Sequence, residues 1–206
     1  DLEPEPAAAA TLFGAQIEQA RAFTAALASQ GEPLGLIGPL ERPRIWTRHV
    51  LNSALVARLV HPGLVGDVGS GAGLPGLVLA IARPDARFVL IEPMERRTDW
   101  LQSQAESLEL SNVIVERARA EESAHRGALD QVTARAVSAL KTLIPAVAPL
   151  VRPGGELILM KGARVDAERD AAAKQIARAK LADVEVLELS APGLAESTRV
   201  FRATVG

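Results

Sequence analysis

The chain reads Asp67-Val68-Gly69-Ser70-Gly71-Ala72-Gly73-Leu74-Pro75-Gly76 where a short apolar run gives way to a helical pattern. Glycines let the backbone turn tightly and approach a ligand closely, and Pro75 suits an early position of the following helix. The first turn of such a helix carries N–H groups without helical partners, which bind anions. Since a tight turn alone does not need four glycines, this stretch predicts a strand–loop–helix unit that binds a nucleotide-like ligand.

Short apolar runs alternate with longer helical patterns from Gly63 onward. This alternation is typical of βαβ units, so it predicts an α/β fold with a mostly parallel, doubly wound sheet. Two late runs have no helical pattern between them and predict an antiparallel C-terminal hairpin at one edge of the sheet. The predicted strands lie near 64–68, 87–91, 112–116, 129–134, 156–161, 184–189 and 198–204, and the predicted helices near 74–82, 95–109, 139–151 and 164–180.

The N-terminal part of the chain lacks the alternation of strands and helices and predicts helices only. Residues 1–10 are acidic, contain prolines and end in alanines, so we expect a flexible leader. Apolar residues recur at helical spacing over 12–27 and 45–60 and predict two helices. We therefore expect a single domain over 11–206, with an N-terminal helical add-on at 11–62 and a Rossmann-like core at 63–206.

The composition narrows the possible functions. The 206 residues include no cysteine and no tyrosine, which excludes thiol nucleophiles, disulfides, cysteine-bound metals and phenol catalysis. The three histidines are too scattered to suggest a metal site. A net charge of −2 means that any RNA site must be a local basic surface. No run of eighteen apolar residues occurs, and we expect a cytoplasmic monomer with no membrane or DNA partner.

The glycine loop fits two kinds of ligand. Gly71-x-Gly73-x-x-Gly76 matches the dinucleotide pattern, and Glu92 follows Gly71 by 21 residues, where a ribose-binding acid is expected. A dehydrogenase, however, needs catalytic groups and a substrate domain for which this chain has little room. Asp67, two residues before Gly69, and the acidic stretch 119–122 after the third strand favour S-adenosylmethionine (SAM). We therefore expect SAM as the cofactor, contacted by the glycine loop.

Acidic and basic side chains are predicted at the ligand-binding edge of the sheet. Glu92 directly follows a strand and is placed to bind both ribose hydroxyls, although it could be a solvated strand-end carboxylate. Arg135 and Lys161 lie at the ends of two further strands, where they could hold a base or phosphates, or form structural ion pairs.

Two features of the N-terminal helices also suggest RNA. His49 shares a helical face with Asn52 and Ser53 that could look toward the cofactor, or it could be a half-buried structural histidine. Trp46 and Trp100 could stack on bases, although tryptophans at such spacing more often belong to the core. Several arginines form a candidate phosphate-binding surface: Arg42, Arg44, Arg48, Arg58, Arg96 and Arg97.

Five motifs run in order from residue 48 onward: Arg48-His49-Val50-Leu51-Asn52-Ser53, the 67–76 loop, Arg119-Ala120-Glu121-Glu122, Ala134-Arg135-Ala136 and Leu159-Met160-Lys161-Gly162. Taken together, they resemble one known family, the glucose-inhibited division protein B family of small-subunit rRNA guanine-N7 methyltransferases. The resemblance covers about three-quarters of the chain. Before Arg48 the chain departs from the family pattern, with Leu36-Ile37-Gly38-Pro39 where many members carry Asn-Leu-Thr.

The resemblance implies a class I SAM-dependent methyltransferase that modifies one guanine of 16S rRNA near the decoding site, in the small ribosomal subunit. It also implies the residues of the site. The cofactor contacts fall on Gly69, Leu74, Ala120, Glu121 and Arg135, to which the loop adds Gly71 and Gly73 and the second strand adds Glu92. The basic residues of the active face fall on Arg96 or Arg97, Arg119, Arg135, Lys161 and Arg199, and we add His49 as a candidate catalytic residue.

The chemistry agrees with this interpretation. Guanine N7 carries a lone pair and no proton, so it can attack a methyl group without a base, and positioning is most of the catalysis. Two alternatives stay open at this point. One is a methyltransferase that acts on a small molecule or a protein, and the other is an rRNA-binding assembly factor that keeps the fold without catalysis.

Overall fold

The computed structural model describes residues 1–135 and 137–206 and contains a seven-stranded mixed sheet. Its order is β3-β2-β1-β4-β5-β7-β6, in which β1 to β5 are parallel and β7 is antiparallel to both β5 and β6. The predicted sheet and its C-terminal hairpin are therefore confirmed. The strands are β1 (Leu64–Val68), β2 (Arg87–Ile91), β3 (Val113–Glu116), β4 (Leu129–Arg135), β5 (Val151–Lys161), β6 (Ala182–Leu189) and β7 (Thr198–Thr204).

Both faces of the sheet are covered, because its central strands are apolar on both sides. In β2, Phe88 and Leu90 belong to one buried cluster, while Val89 and Ile91 belong to the other. Alternate side chains of a strand point to opposite faces, so a continuous apolar run supplies both clusters. The covering helices of the core are α4 (Gly76–Ala82), α5 (Glu95–Ser107), α6 (Leu140–Val147), α7 (Val165–Ala171) and α8 (Ala173–Arg178).

The helical pattern at 164–180 forms two helices rather than one. The break falls at Ala172, which is fully buried and separates α7 from α8. This residue packs with the cluster that α6 and β5 share, so tertiary packing interrupts a stretch that its charge pattern alone predicts as continuous.

The N-terminal helices are also less regular than predicted. The first begins earlier, with α1 (Ala8–Phe13), a 3-10 turn and α2 (Ile17–Gln30) in place of one helix over 12–27. The second consists of a π-helical segment at Ile45–Leu51, the short α3 (Asn52–Ala54) and a 3-10 segment at Leu55–Leu59. A π-helical insertion shifts the register of the side chains, and such insertions often occur at functional sites.

Residues 1–10 differ from the predicted flexible leader. The backbone N–H groups of Trp46 and Thr47 donate to the Glu3 carboxylate over 2.7 and 3.0 Å, and the Thr47 hydroxyl donates to it as well. Ala9 is fully buried inside α1. The leader therefore packs against the π-helical segment and supplies acceptors for its free N–H groups. Among the described residues, no helix is long and apolar enough to cross a membrane.

Candidate active site

Asp67, at the end of β1, holds the glycine loop in shape. Its side chain is fully buried, and one carboxylate oxygen accepts hydrogen bonds from the Ser70 hydroxyl at 2.7 Å and the Gly76 N–H at 2.9 Å. The other oxygen accepts from the Thr133 hydroxyl at 2.9 Å. Burial raises the pKa of this carboxyl to about 6, against the opposing effect of its three donors. Asp67 therefore fixes the conformation of the glycine loop from its buried side.

Two of the loop glycines are required for different reasons. Gly71 has a φ of +56°, and its N–H donates to a Glu92 oxygen at 3.0 Å. Gly73 has a φ of +93°, and a Cβ at this position would overlap the Leu77 side chain. Gly73 thus allows the loop to pack on α4, and it lines none of the cavities described below. The cofactor contact at Gly73 stays a prediction.

The two tryptophans belong to the core. Trp46 and Trp100 are 5% and 4% exposed, so the structure places neither ring where a base could stack on it. The Trp100 indole N–H donates to the Ala72 carbonyl at 3.0 Å and thereby supports the glycine loop. The core interpretation of both residues is confirmed.

A cavity of about 500 Å³, which we call cavity A, opens at the carboxyl ends of β1 and β2. Of the residues predicted to bind cofactor, Gly69, Glu92, Ala120 and Glu121 line it. One wall of the cavity could not be predicted from the sequence, because it comes from α6 and the segment before it. The apolar residues of this wall are Val137, Leu143 and Ala146, and its polar residues are Ser138 and Thr142.

Glu92 is the buried acid of cavity A, with a side chain that is 2% exposed. Its two oxygens accept from the N–H groups of Gly71 at 3.0 Å and Met94 at 2.9 Å. A carboxylate offers about four acceptor positions, so two remain for a ligand. Glu92 therefore ties the glycine loop to β2 and still has acceptors for a pair of hydroxyl groups.

A second cavity, cavity B, has a volume of about 420 Å³ and lies between the glycine loop and the loop that precedes the π-helical segment. Gly71 and Leu74, which are predicted to contact the cofactor, line cavity B and not cavity A. Gly69 and Arg97 line both cavities, so the two spaces meet at these residues. Cavity B also contains the basic and acidic side chains of Glu41, Arg48, His49 and Arg135.

A third cavity, cavity C, has a volume of about 560 Å³ and lies beyond the ends of β4, β5 and β7. Arg48 and Arg135 line both B and C, so these arginines stand between the two spaces. Cavity C is also lined by Lys161 and Arg199, which are partners in the β5–β7 register. The structure thus places three cavities in sequence along one edge of the sheet.

The predicted basic residues differ in their surroundings. The Lys161 ammonium lies 2.9 Å from a Glu168 oxygen and donates to the Ser138 carbonyl at 2.8 Å, which matches the ion-pair alternative. The sequence did not show this pair because the position of α7 depends on tertiary packing. Arg199 donates to the Ala163 carbonyl at 3.2 Å. Arg119 lines cavity A, so the structure does not bring it together with Arg135.

Arg135, the last residue of β4, is held on one side only. Its Nη2 donates to His49 Nδ1 at 2.7 Å and points toward the Arg48 carbonyl at 3.4 Å. Its Nη1 is buried and has no hydrogen-bond partner among residues 1–135 and 137–206. Burial lowers the pKa of Arg135, and the nearby Arg48 charge lowers it further. Ala136, which completes the Ala134-Arg135-Ala136 motif, lies outside the described residues.

We expect Asp67→Asn to destabilise the fold by about 1–3 kcal/mol, because an amide keeps only one acceptor oxygen and its NH₂ leaves at least one of the three donors without an acceptor. The loss should be larger at pH 5 than at pH 7.5. A carboxyl whose folded pKa is raised from 3.8 to about 6 stabilises the fold most below pH 4, and this contribution disappears as the pH rises to 6. Urea unfolding at both pH values measures the difference, with the exposed Asp85→Asn as control. Equal losses at the two pH values would contradict the raised pKa.

Comparison with solved structures identifies the fold. The chain is similar to a predicted O-methyltransferase from Agrobacterium tumefaciens, with a TM-score of 0.62 and 19% identity over 75% of this chain and 81% of the other. It is also similar to M. jannaschii TYW2 in complex with AdoMet, with a TM-score of 0.59 and 17% identity over 77% of this chain and 76% of the other. The expected class I SAM-dependent methyltransferase fold is confirmed.

Comparison with protein families and their members is more specific. The model of the family described as rRNA small subunit methyltransferase G (GidB) matches residues 16–197. The chain is 63% identical over 204 residues to the ribosomal RNA small subunit methyltransferase G of Clavibacter michiganensis subsp. michiganensis, covering 99% of this chain and 97% of the relative. It is 64% identical over 204 residues to the protein of the same name from Leifsonia xyli subsp. xyli, covering 99% and 98%. The chain therefore belongs to the rRNA small subunit methyltransferase G (GidB) family.

Proposed function

We propose that this protein transfers the methyl group of SAM to N7 of a guanine in 16S rRNA, within the small ribosomal subunit and near the decoding site. Membership of the family supports the acceptor class. One observation carries the proposal for the site itself: Arg135, whose buried Nη1 has no hydrogen-bond partner in the described part of the chain, stands between cavities B and C and next to the glycine loop. We further propose that the protein acts as a monomer in the cytoplasm.

The residues of cavity A fit SAM. Glu92 keeps two acceptor positions for the ribose hydroxyls, and Val137, Leu143 and Ala146 offer an apolar surface for a flat ring. Glu121 and the Ala120 backbone would hold the adenine edge. Gly69 and Arg97, which line both A and B, would hold the end of the cofactor that faces the substrate. When bound, SAM supplies an electrophilic methyl group on a sulfonium ion.

The side chains around cavity B suit an acceptor that needs no base. Both ring nitrogens of His49 are engaged, one by Arg135 and one by Glu41, so this histidine is not a free proton acceptor. N7 of guanine has its lone pair available at every pH near neutrality. The protein then has only to hold the base in line and to exclude water, and a fixed guanidinium can donate to guanine O6.

The charges around cavity C suit an RNA backbone. Arg48, Arg135, Lys161 and Arg199 line it, against the acids Glu168 and Glu196. Glu168 is already paired with Lys161, and Arg135 is the donor for the base, so Arg48 and Arg199 are the arginines for phosphate groups. Arginine binds phosphate through two parallel hydrogen bonds, so the strand that flanks the target guanine has partners here.

The class of acceptor is tested by methyl transfer from labelled SAM. Small subunits from cells that lack this enzyme, naked 16S rRNA and total protein from the same cells would be compared at equal concentration. We expect label in the rRNA of the small subunits and none in the protein fraction. Label in protein or in small molecules alone would overturn the proposal in favour of a different acceptor.

A further inference from the structure

Glu41, His49 and Arg135 form a continuous chain of hydrogen bonds beside cavity B. Arg135 Nη2 lies 2.7 Å from His49 Nδ1, and His49 Nε2 lies 2.6 Å from Glu41 Oε2. Glu41 Oε1 lies 2.8 Å from Nη2 of Arg44, which fixes the far end. We propose that Glu41 and His49 are positioning residues that set the orientation of the Arg135 guanidinium toward the guanine. This inference rests on the proposed function.

The donors and acceptors of this chain determine where the imidazole proton lies. A guanidinium only donates, so His49 Nδ1 must accept and the neutral ring must carry its proton on Nε2. That N–H then donates to the Glu41 carboxylate. A positively charged imidazolium would lose the acceptor for Arg135 and place a like charge against it. Burial lowers the pKa of His49, and the Arg135 and Arg48 charges lower it further, while Glu41 opposes this effect; the neutral tautomer is therefore the one present near neutral pH.

Arg135 needs such support because, among residues 1–135 and 137–206, its other hydrogen bond is a long one, from Nη2 to the Arg48 carbonyl at 3.4 Å. Its side chain is mostly desolvated, a like charge on Arg48 is nearby, and Nη1 has no partner within the described chain. Without a fixed acceptor for Nη2, the guanidinium would rotate away into cavity C or toward solvent. The His49 ring removes this freedom before substrate binds, and an immobilised donor loses less entropy on binding.

Glu41 comes from the loop before the π-helical segment, a part of the chain with no motif of the family. The π-helical turn Ile45–Leu51 places His49 between this loop and the end of β4. The N-terminal helices therefore contribute to the orientation of a group on the core sheet. The sequence gives no sign of the contact between Glu41 and His49, since the seven residues between them do not form a regular α-helix.

The first test measures the His49 tautomer and does not depend on activity. In protein labelled with nitrogen-15, the ring signals of His49 are assigned by their loss in His49→Phe. We expect a neutral ring with the proton on Nε2 at pH 7, and a higher ring pKa in Arg135→Leu, because Nδ1 loses the cationic donor that keeps it unprotonated while Glu41 still accepts from Nε2. A charged ring, or a proton on Nδ1 in the wild-type protein, would overturn the proposal.

The second test separates positioning from a general structural role. In His49→Phe and Glu41→Ala we expect kcat for small subunits to fall about 10- to 100-fold, with the Kd for SAM and the melting temperature unchanged. Glu41→Gln keeps an acceptor for the Nε2 proton and should stay within about threefold of wild type. The matched control is His61→Phe, because His61 also pairs with a glutamate, Glu156 at 3.2 Å, but precedes β1 at the opposite edge of the sheet.

The outcomes distinguish this inference from the proposed function. If the wild-type protein methylates small-subunit rRNA but His49→Phe and Glu41→Ala keep full kcat, the positioning role is wrong and the function stands. If Glu41→Gln loses as much activity as Glu41→Ala, the charge of Glu41 matters rather than its hydrogen bond, and the proposal fails. If the wild type transfers no methyl group to RNA, the proposed function fails, and the tautomer measurement still decides whether the hydrogen-bonded chain exists.

Discussion

Replacing Arg135 by leucine should reduce kcat for methyl transfer to small subunits by a factor of about 100 to 1,000. The guanidinium lies between cavities B and C, and its Nη1 has no hydrogen-bond partner within residues 1–135 and 137–206. A donor that is held in place in a desolvated site stabilises charge that develops in the transition state. The Kd for SAM should not change, because Arg135 does not line cavity A. Single-turnover kinetics and cofactor titration measure the two quantities.

The fold should tolerate this substitution. Arg135 is desolvated and close to the like charge of Arg48, so its removal relieves a repulsion as well as breaking the bond to His49. The control is Arg152→Leu, which breaks the exposed ion pair with Asp130 at the amino end of the sheet and should keep full activity. Undiminished turnover of Arg135→Leu would remove Arg135 from the site.

Gly71→Val should abolish measurable SAM binding, with an increase of Kd of at least about 100-fold. At a φ of +56° a β-branched residue is strained, and relief of that strain moves the N–H that Gly71 donates to Glu92. The valine side chain would also project between the loop and Arg97, since a Cβ here would lie 4.0 Å from Arg97 Nη1. Glu92 would then lose its link to the loop.

Gly127→Val is the matched control for this effect. Gly127 has a φ of +69°, and a Cβ there would meet no atom within 4 Å, so the variant carries similar backbone strain without approaching the cavities. We expect a similar loss of melting temperature in both variants and normal SAM affinity in Gly127→Val alone. Calorimetric titration gives the affinities, and an unchanged affinity of Gly71→Val would contradict the role of the loop.

The sheet was predictable because its signal is local. The strand at 87–91 is a continuous apolar run whose side chains pack on both faces of the sheet. The glycine loop marks the connection between the first strand and the first helix of the core, so the hydrophobic pattern and the turn residues predict the same elements there. The strand predicted at 112–116 begins one residue later, because the Asn112 side chain donates to the carbonyls of Ala80, Arg83 and Ala86.

The N-terminal segment and part of the site could not be predicted, because they depend on contacts between distant parts of the chain. Acidic, alanine-rich residues at the N-terminus give no local reason to fold, yet Glu3 caps a π-helical segment more than forty residues away. At the site, the position of Glu92 beside cavity A could be predicted because strand ends carry ligand contacts, and that of Gly69 because it belongs to the glycine loop. The position of Glu41 and the Lys161–Glu168 pair could not be predicted, since each requires knowing how a loop or helix packs on the sheet.

Identification of the methylated nucleoside tests the central claim most directly. Small subunits methylated by the purified protein would be digested for nucleoside mass spectrometry, and the modified position would be mapped in 16S rRNA by chemical cleavage at 7-methylguanosine. We predict 7-methylguanosine as the product, at a single guanine near the decoding site. A methyl group on another base or another atom of guanine, or methylation spread over many guanines, would contradict the account.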